Sequence, residues 1–385
     1  MPNEKKQSKF GINLISILIL VVILGFFAGI SGEFFTKYYL SNLAFFRDLY
    51  FTEQTDLGQR EIIIREPKKV VVEQDLRINQ LKNEIQPSIV GVYKKKTTVK
   101  NLLDKIFLPA DYLGQAVVLT SDGWLISTAD VINSNKDNLI ISYDKQIYEI
   151  DKIIKDDLSR IVFIKITAQN LPVIRLVDFT DVNDGQQVFM YNSYSDQLNL
   201  ANIQDKRHKI INNKYDFISS SENLDKHILL DRELDNEYNG SPLVNFQGEI
   251  IGLLSGQTDQ LNQAIPLHYI NEIISQVLKD EEINRPKLGI NYINLNQAYG
   301  LTEEDRQGLE NGVLLWPNQN GIAIKQDSPL FGKLVSGDII TSIEDQKIDQ
   351  GTDLLDILLQ YKTGQEISLG YWHEGNEQEL SLILQ

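Results

Sequence analysis

The chain has 385 residues, 42% of them hydrophobic, which suffices for one or two sizeable cores, and a formal net charge of -16. That charge repels phosphate backbones, and no Lys/Arg-rich stripe with interleaved aromatics offsets it, which argues against nucleic acid as a partner. With no cysteine there is neither a disulfide nor thiol chemistry. The four histidines, His208, His227, His268 and His373, are scattered without metal-ligand spacing, so no metal and no cofactor is expected.

Residues 1–9 carry Lys5, Lys6 and Lys9 and precede an uncharged run from Phe10 to Gly32, FGINLISILILVVILGFFAGISG. At a helical rise of about 1.5 Å per residue this run covers a hydrocarbon core of roughly 30 Å. The lysines hold the N-terminus in the cytoplasm, which predicts a single-pass protein of the cell membrane with the bulk of the chain extracytoplasmic. The apolar run is long for a signal-peptide core and AGISG is a poor cleavage site, so an uncleaved signal anchor is preferred over a cleaved leader.

Residues 33–80 read as a linker or oligomerisation segment. Its first part, FFTKYYLSNLAFF, fits an interfacial aromatic belt or packing between protomers. EIIIREPKKVVVEQD then gives two β-branched runs broken at Glu66-Pro67, a strand pair or extended linker, and LRINQLKNEIQ a short amphipathic helix ended by Gln86-Pro87. Over 81–280 many short apolar or alternating runs, among them QAVVLT, GWLIST, RIVFIKI, QQVFMYN and EIIGLLS, are separated by Gly, Asn and Asp turns. That pattern predicts an all-β sandwich or barrel, with helix sparse until HYINEIISQVLKD. His208 and His227 fall in polar stretches that read as solvated loops.

Three segments carry more than pattern: GQAVVLTSDGWLISTADVI, DDLSRIVFIKI and LDRELDNEYNGSPLVNFQGEIIGL. In order and spacing they resemble the strand ends on which the HtrA/DegP family of PDZ-containing serine proteases places its catalytic groups. The resemblance implies a trypsin-like double β-barrel. It puts Asp130 at the position of the general-base histidine and matches Asp156 to the first aspartate of the second motif. Arg160 then stands at the aspartate that orients the histidine, Asn239 at the nucleophilic serine, Glu237 at the oxyanion-side glycine and Ser241 at the second glycine. Asp231 keeps the aspartate upstream of the nucleophile.

Acyl transfer needs a hydroxyl, a base with a pKa near the working pH and donors aimed at the oxyanion. Asn239 offers no ionisable nucleophile, and Asp130 is a carboxylate with a reference pKa of about 3.9 that Arg160 lowers further. Glu237 puts a bulky anion where glycine lets the backbone turn. The degenerate positions therefore predict no catalysis, with an Asp130–Arg160 ion pair across the site. Ser241 is the only hydroxyl in the motif and the sole rescue candidate, with no histidine nearby in sequence.

Over 281–385, KLGINYINL, NGVLLW, IKQDSPLFGKLVSGDIITSIEDQKI and DLLDILLQYKTGQEISLGYW resemble the PDZ domain of the same family, an α+β unit. Lys287, Leu288, Gly289 and Ile290 form the expected peptide-binding loop, whose N–H groups capture a C-terminal carboxylate while the peptide adds as a strand. The alternative is that Leu288 and Ile290 are core residues of a first strand. Asp353 to Tyr361 has the spacing of the helix lining the groove.

Together these readings describe a membrane-anchored pseudoprotease that binds unfolded or C-terminal peptides as chaperone, scaffold or regulator. The family also implies a homotrimer, or a hetero-oligomer with active relatives. The competing readings are a serine endopeptidase with a non-standard site and a structural envelope protein.

Overall fold

The computed structural model describes residues 14–38, 67–256 and 261–385. The chain divides into two compact units, residues 1–72 and 73–385. In the first, a helix spans Leu14–Tyr38. Its side chains from 17 to 32 are uncharged and exposed. Among the described residues no helix is long and apolar enough to cross a membrane. The start of the expected span, residues 10–13, lies outside the described residues, as do residues 1–9 and 39–66 with most of the aromatic segment.

The extended conformation expected for KKVVVEQD is not found, because a single helix runs over Pro67–Ile85. Pro67 stands at its first position, where a missing N–H is no loss. The C-terminal half is held by tertiary contacts that outweigh the strand preference of Val70 to Val72. Leu81 and Ile85 are buried in the largest core cluster with Ile78 packed beside them. Arg77 adds hydrogen bonds from Nε (3.0 Å) and Nη2 (2.6 Å) to the Phe246 carbonyl.

Six strands follow: β1 (Ile89–Lys94), β2 (Tyr112–Val118), β3 (Trp124–Thr128), β4 (Leu139–Tyr143), β5 (Gln146–Lys155) and β6 (Ile161–Ile166). They close into an antiparallel barrel in the order β1-β2-β3-β6-β5-β4, with β4 returning to β1. The next are β7 (Arg175–Leu176), β8 (Gln187–Asn192), β9 (Gln197–Lys209), β10 (Ser219–Ser220), β11 (Lys226–Leu234), β12 (Pro242–Val244), β13 (Glu249–Leu254) and β14 (Leu261–Pro266). Of these, β12-β8-β9-β11-β14-β13 form a second ring, closed by β12–β13 pairing, with β7 attached to β13. A helix over Asn271–Asp280 ends the second barrel.

The period of two in strand side chains explains how the barrels stack. In β3 and β6, Trp124, Ile126, Ile161 and Phe163 face a core shared with Phe189, Tyr191, Leu253 and Ile265 of the second barrel. Their neighbours Leu125, Val162 and Ile164 fill the first barrel, and Val188 and Met190 fill the second. Both faces of these strands are buried, so they read as continuous apolar runs.

The last sheet contains β15 (Asn291–Asn294), β16 (Val313–Leu315), β17 (Ile339–Ile343), β18 (Gln346–Lys347), β19 (Glu366–His373) and β20 (Asn376–Ile383). Its order is β10-β15-β16-β17-β19-β20, with β18 on β17. The short helix Leu354–Leu358, capped by Asp353, packs Leu354, Ile357 and Leu358 on this sheet. Strand β10 belongs in sequence to the second barrel yet pairs with the last domain.

Candidate functional site

The cleft between the barrels is built from three turns. The first follows β3, where the N–H groups of Val131 and Ile132 both bond the Thr128 carbonyl, and it carries Asp130. The second precedes β6 and carries Arg160 in the left-handed region at φ +63°. Its backbone is fixed by bonds from Arg160 N to Asp156 O (2.8 Å) and from Ala129 N to Arg160 O (2.9 Å). The third is a 3-10 turn over Asn236–Tyr238 that leads into Asn239.

Two glycines press this third turn against β2. A Cβ on Gly240 would lie 2.2 Å from the Gln115 carbonyl oxygen, and one on Gly114 would lie 2.6 Å from the Asn239 carbonyl oxygen. The Gln115 N–H donates to that Asn239 carbonyl at 2.9 Å. Both glycines also have positive φ, so the approach requires glycine twice over.

The turns bring Asp130, Arg160, Glu237 and Asn239 around one cavity of about 640 Å³, also walled by Tyr112 and Leu113. Arg160 Nη2 donates to Asp130 Oδ1 at 2.7 Å, which is the ion pair the sequence predicts. The structure adds a partner that the sequence reading missed, Ser255 Oγ donating to Asp130 Oδ2 at 2.6 Å. The pair is no buried plug: the Arg160 side chain is 48% exposed and that of Asp130 16%.

Asn239 turns its amide against Gly256, where a Cβ would come within 3.0 Å, and its Oδ1 is buried with no hydrogen-bond partner among the described residues. The Asn239 N–H donates to the Asn236 carbonyl at 3.0 Å and so is already engaged. Glu237 is exposed and accepts a long bond from Asn192 Nδ2 at 3.4 Å. Ser241 is fully buried and donates to the Tyr191 carbonyl at 2.9 Å, away from any imidazole bond among the described residues. The Tyr112 phenol, pushed up by burial, stays protonated and is no base at neutral pH.

No histidine lines the cavity among the described residues. His208 and His227 are not loop residues, since they pair directly across β9 and β11. Burial lowers the His227 pKa. Their polar neighbours misled the sequence reading, because one face of this ladder is wet and alternation there is weak. Asp231 is exposed and serves β9, accepting from Asn202 N at 2.8 Å and Nδ2 at 2.6 Å, and these bonds lower its pKa. Asp156 is buried and structural: it takes Ser159 Oγ at 2.5 Å and the Arg285 guanidinium through Nε at 3.0 Å and Nη2 at 2.5 Å.

In the last domain Leu288 and Ile290 are buried core side chains, but they precede β15 and do not belong to a first strand as the alternative reading had it. The backbone of the loop is partly committed. Lys287 N donates to Gln385 O at 2.8 Å, and Ile290 N to Ser221 Oγ at 3.1 Å. Of the four loop N–H groups, those of Leu288 and Gly289 have no partner among the described residues. Gly289 takes φ +63°, which turns the loop, and its carbonyl accepts from Lys325 N at 2.8 Å.

A PDZ-domain family model matches residues 286–384. The chain is 24% identical over 287 residues to a probable periplasmic serine endoprotease DegP-like of Pseudomonas putida, covering 71% of this chain and 56% of the relative. It is 24% identical to the serine endoprotease DegS of Haemophilus influenzae, covering 62% of this chain and 75% of the relative. The chain thus spans little more than half the length of the DegP-like relatives it matches. Among solved structures, the HtrA-type protease AlgW with a decapeptide superposes with a TM-score of 0.59 at 18% identity, covering 80% of this chain and 97% of that one. Fold, cleft and comparisons define a trypsin-like double barrel followed by a PDZ domain. This chain is a homologue of the HtrA/DegP-type serine proteases.

Proposed function

We propose that the chain is a membrane-anchored HtrA-like pseudoprotease, catalytically inactive, that binds unfolded or C-terminal polypeptide as chaperone, scaffold or regulator in the cell envelope. The observation that carries this reading is the floor of the barrel cleft. An amide side chain stands at Asn239, its backbone N–H is spent on Asn236 O, and Asp130 is held by Arg160 and Ser255. A serine hydrolase needs a nucleophile within reach of a base and free donors for the oxyanion. Here the carboxylate has no acidic proton to receive, and the Asn239 N–H, at the position of the nucleophile, is engaged.

Peptide binding is supported by the PDZ domain and by the cleft, which stays open. The uncharged, exposed stretch 17–32 of the N-terminal helix supports the anchor, with the bulk of the chain extracytoplasmic. Trimers, or mixed oligomers with active relatives, follow from the family resemblance alone. The second reading, an endopeptidase of protein quality control with a non-standard site, rests on the names of the relatives, and its one candidate hydroxyl, Ser241, is buried on a backbone carbonyl.

The test is to incubate the full chain in detergent with an unfolded fluorogenic protein. No turnover is expected, either from the wild type or from Asn239→Ser, which restores a hydroxyl without a base. Sustained cleavage abolished by Ser241→Ala would overturn the proposal.

A further inference from the structure

Without β10, β15 would be the free edge of the PDZ sheet, flanked by the loop 287–290 and the helix Leu354–Leu358. PDZ domains receive peptides at such an edge by strand addition. In this chain that edge is already taken by a segment of the second barrel. Ser219 and Ser220 pair antiparallel with Tyr292 and Asn291. The register continues past the strand: Ser221 N donates to Ile290 O at 3.0 Å, and Ile290 N donates back to Ser221 Oγ at 3.1 Å. The segment therefore runs toward the carboxylate loop in the direction of an incoming C-terminus.

It also delivers a carboxylate there. Glu222 pairs with Lys325, whose own N–H is bonded to Gly289 of the loop. Beyond Glu222 lies a cavity of about 350 Å³ whose charged lining comprises Lys155, Arg285, Lys287 and Lys325 together with Asp156, Asp157 and Glu222 itself. Arg285 and Lys325 are engaged by Asp156 and Glu222, while the ammonium groups of Lys155 and Lys287 have no acidic partner among the described residues. The other wall of the groove is covered as well. Leu355 and Leu359 pack on Leu158, Tyr269 and Leu224 of the barrels, and Asp353, the cap of the groove helix, forms a buried ion pair with Lys226.

We infer that residues 219–222 are a built-in ligand of the PDZ groove, and that an outside peptide ending in a carboxylate binds by displacing them. This rests on the peptide-binding reading above and adds to it a competition. Because the competitor is tethered, it acts at high effective concentration, and the apparent affinity of an outside peptide falls by the fraction of molecules whose edge is free. A productive ligand must offer a β-strand with small side chains opposite Tyr292 and Asn291 and an anionic end for the lysine-lined cavity.

The experiment uses the full chain and a labelled synthetic peptide, Ile-Ser-Ser-Ser-Glu with a free C-terminus, whose sequence is that of residues 218–222. Ser221→Pro removes both contacts of that residue with Ile290, and Glu222→Lys sets like charges against Lys325 without touching the backbone. Each variant is expected to bind the peptide at least about tenfold more tightly than the wild type. Hydrogen exchange at the Ile290 amide, slow in the wild type, becomes fast in Ser221→Pro and slow again when peptide is added. Equal affinity in all three proteins with fast Ile290 exchange in the wild type overturns the inference and leaves peptide binding standing. Freed exchange in the variants with no peptide bound at any concentration overturns peptide binding by the groove, and with it the ligand role assigned to 219–222.

Discussion

The barrel cleft lies among the turns at strand ends and the PDZ groove along the edge of β15, and the chain treats the two oppositely. In the cleft the backbone is fixed while the side chains are half in water: Gly114 and Gly240 allow the turns to touch, and the Asp130–Arg160 pair lies at the surface. In the groove the charged side chains are the fixed part, with Asp156–Arg285 and Lys226–Asp353 buried between barrel and PDZ domain. The lesson is where substitution is cheap. Charges at the rim of a cleft can change without a large effect on folding, whereas a buried pair ties two domains together and resists change.

The largest effect should come from breaking the buried side of this comparison. Asp156→Ala leaves the Arg285 guanidinium, 7% exposed, without its bidentate partner and also strips Ser159 of an acceptor. Loss of one member of such a pair costs about 3–5 kcal/mol, to be read from urea unfolding of the full chain. If the midpoint stays where it is in the wild type, the pair does not tie the domains. Next in size is the fixed backbone of the cleft. Gly240→Ala forces a Cβ toward the Gln115 carbonyl at a φ of +75°, and about 3 kcal/mol of destabilisation is expected in the same assay. An unchanged midpoint would mean that the turn is not pressed on β2 as described.

Much of this was legible in the sequence. Short apolar runs between polar turns, GWLIST and RIVFIKI among them, mark the β architecture, but because both faces of these strands are buried the sequence does not say which side chains face the barrel interior and which the core between barrels. The turns carrying Asp130, Arg160 and Asn239 were legible through the resemblance of the three motifs to the HtrA/DegP strand ends, and only the last of them is marked by a glycine, Gly240. What escaped has a common physical origin. Ser-Ser-Ser-Glu has no apolar periodicity, and its strand is imposed by the edge it meets; the partners Ser255 and Arg285 lie 125 and 129 residues from their aspartates. The second half of the helix over Pro67–Ile85 was read from LRINQLKNEIQ, whereas its first half was hidden by Val70 to Val72, whose local preference loses to the burial of Leu81 and Ile85.

The smallest effect tests the exposed side, and its sign is informative. Arg160→Ala removes a charge partner from Asp130, but the guanidinium is half in solvent and Asp130 keeps Ser255, so the loss should be about 0.5 kcal/mol and should shrink further in 1 M salt. Arg160 also holds φ +63°, a conformation that costs a side-chain-bearing residue about 1 kcal/mol and glycine almost nothing. Arg160→Gly therefore trades the lost pair against relief of backbone strain and should melt at or slightly above the wild type, while Arg160→Ala melts slightly below. A drop of several degrees in Arg160→Gly would mean that the ion pair, and not the turn, holds this corner of the cleft, and the contrast with Asp156 would then be one of degree.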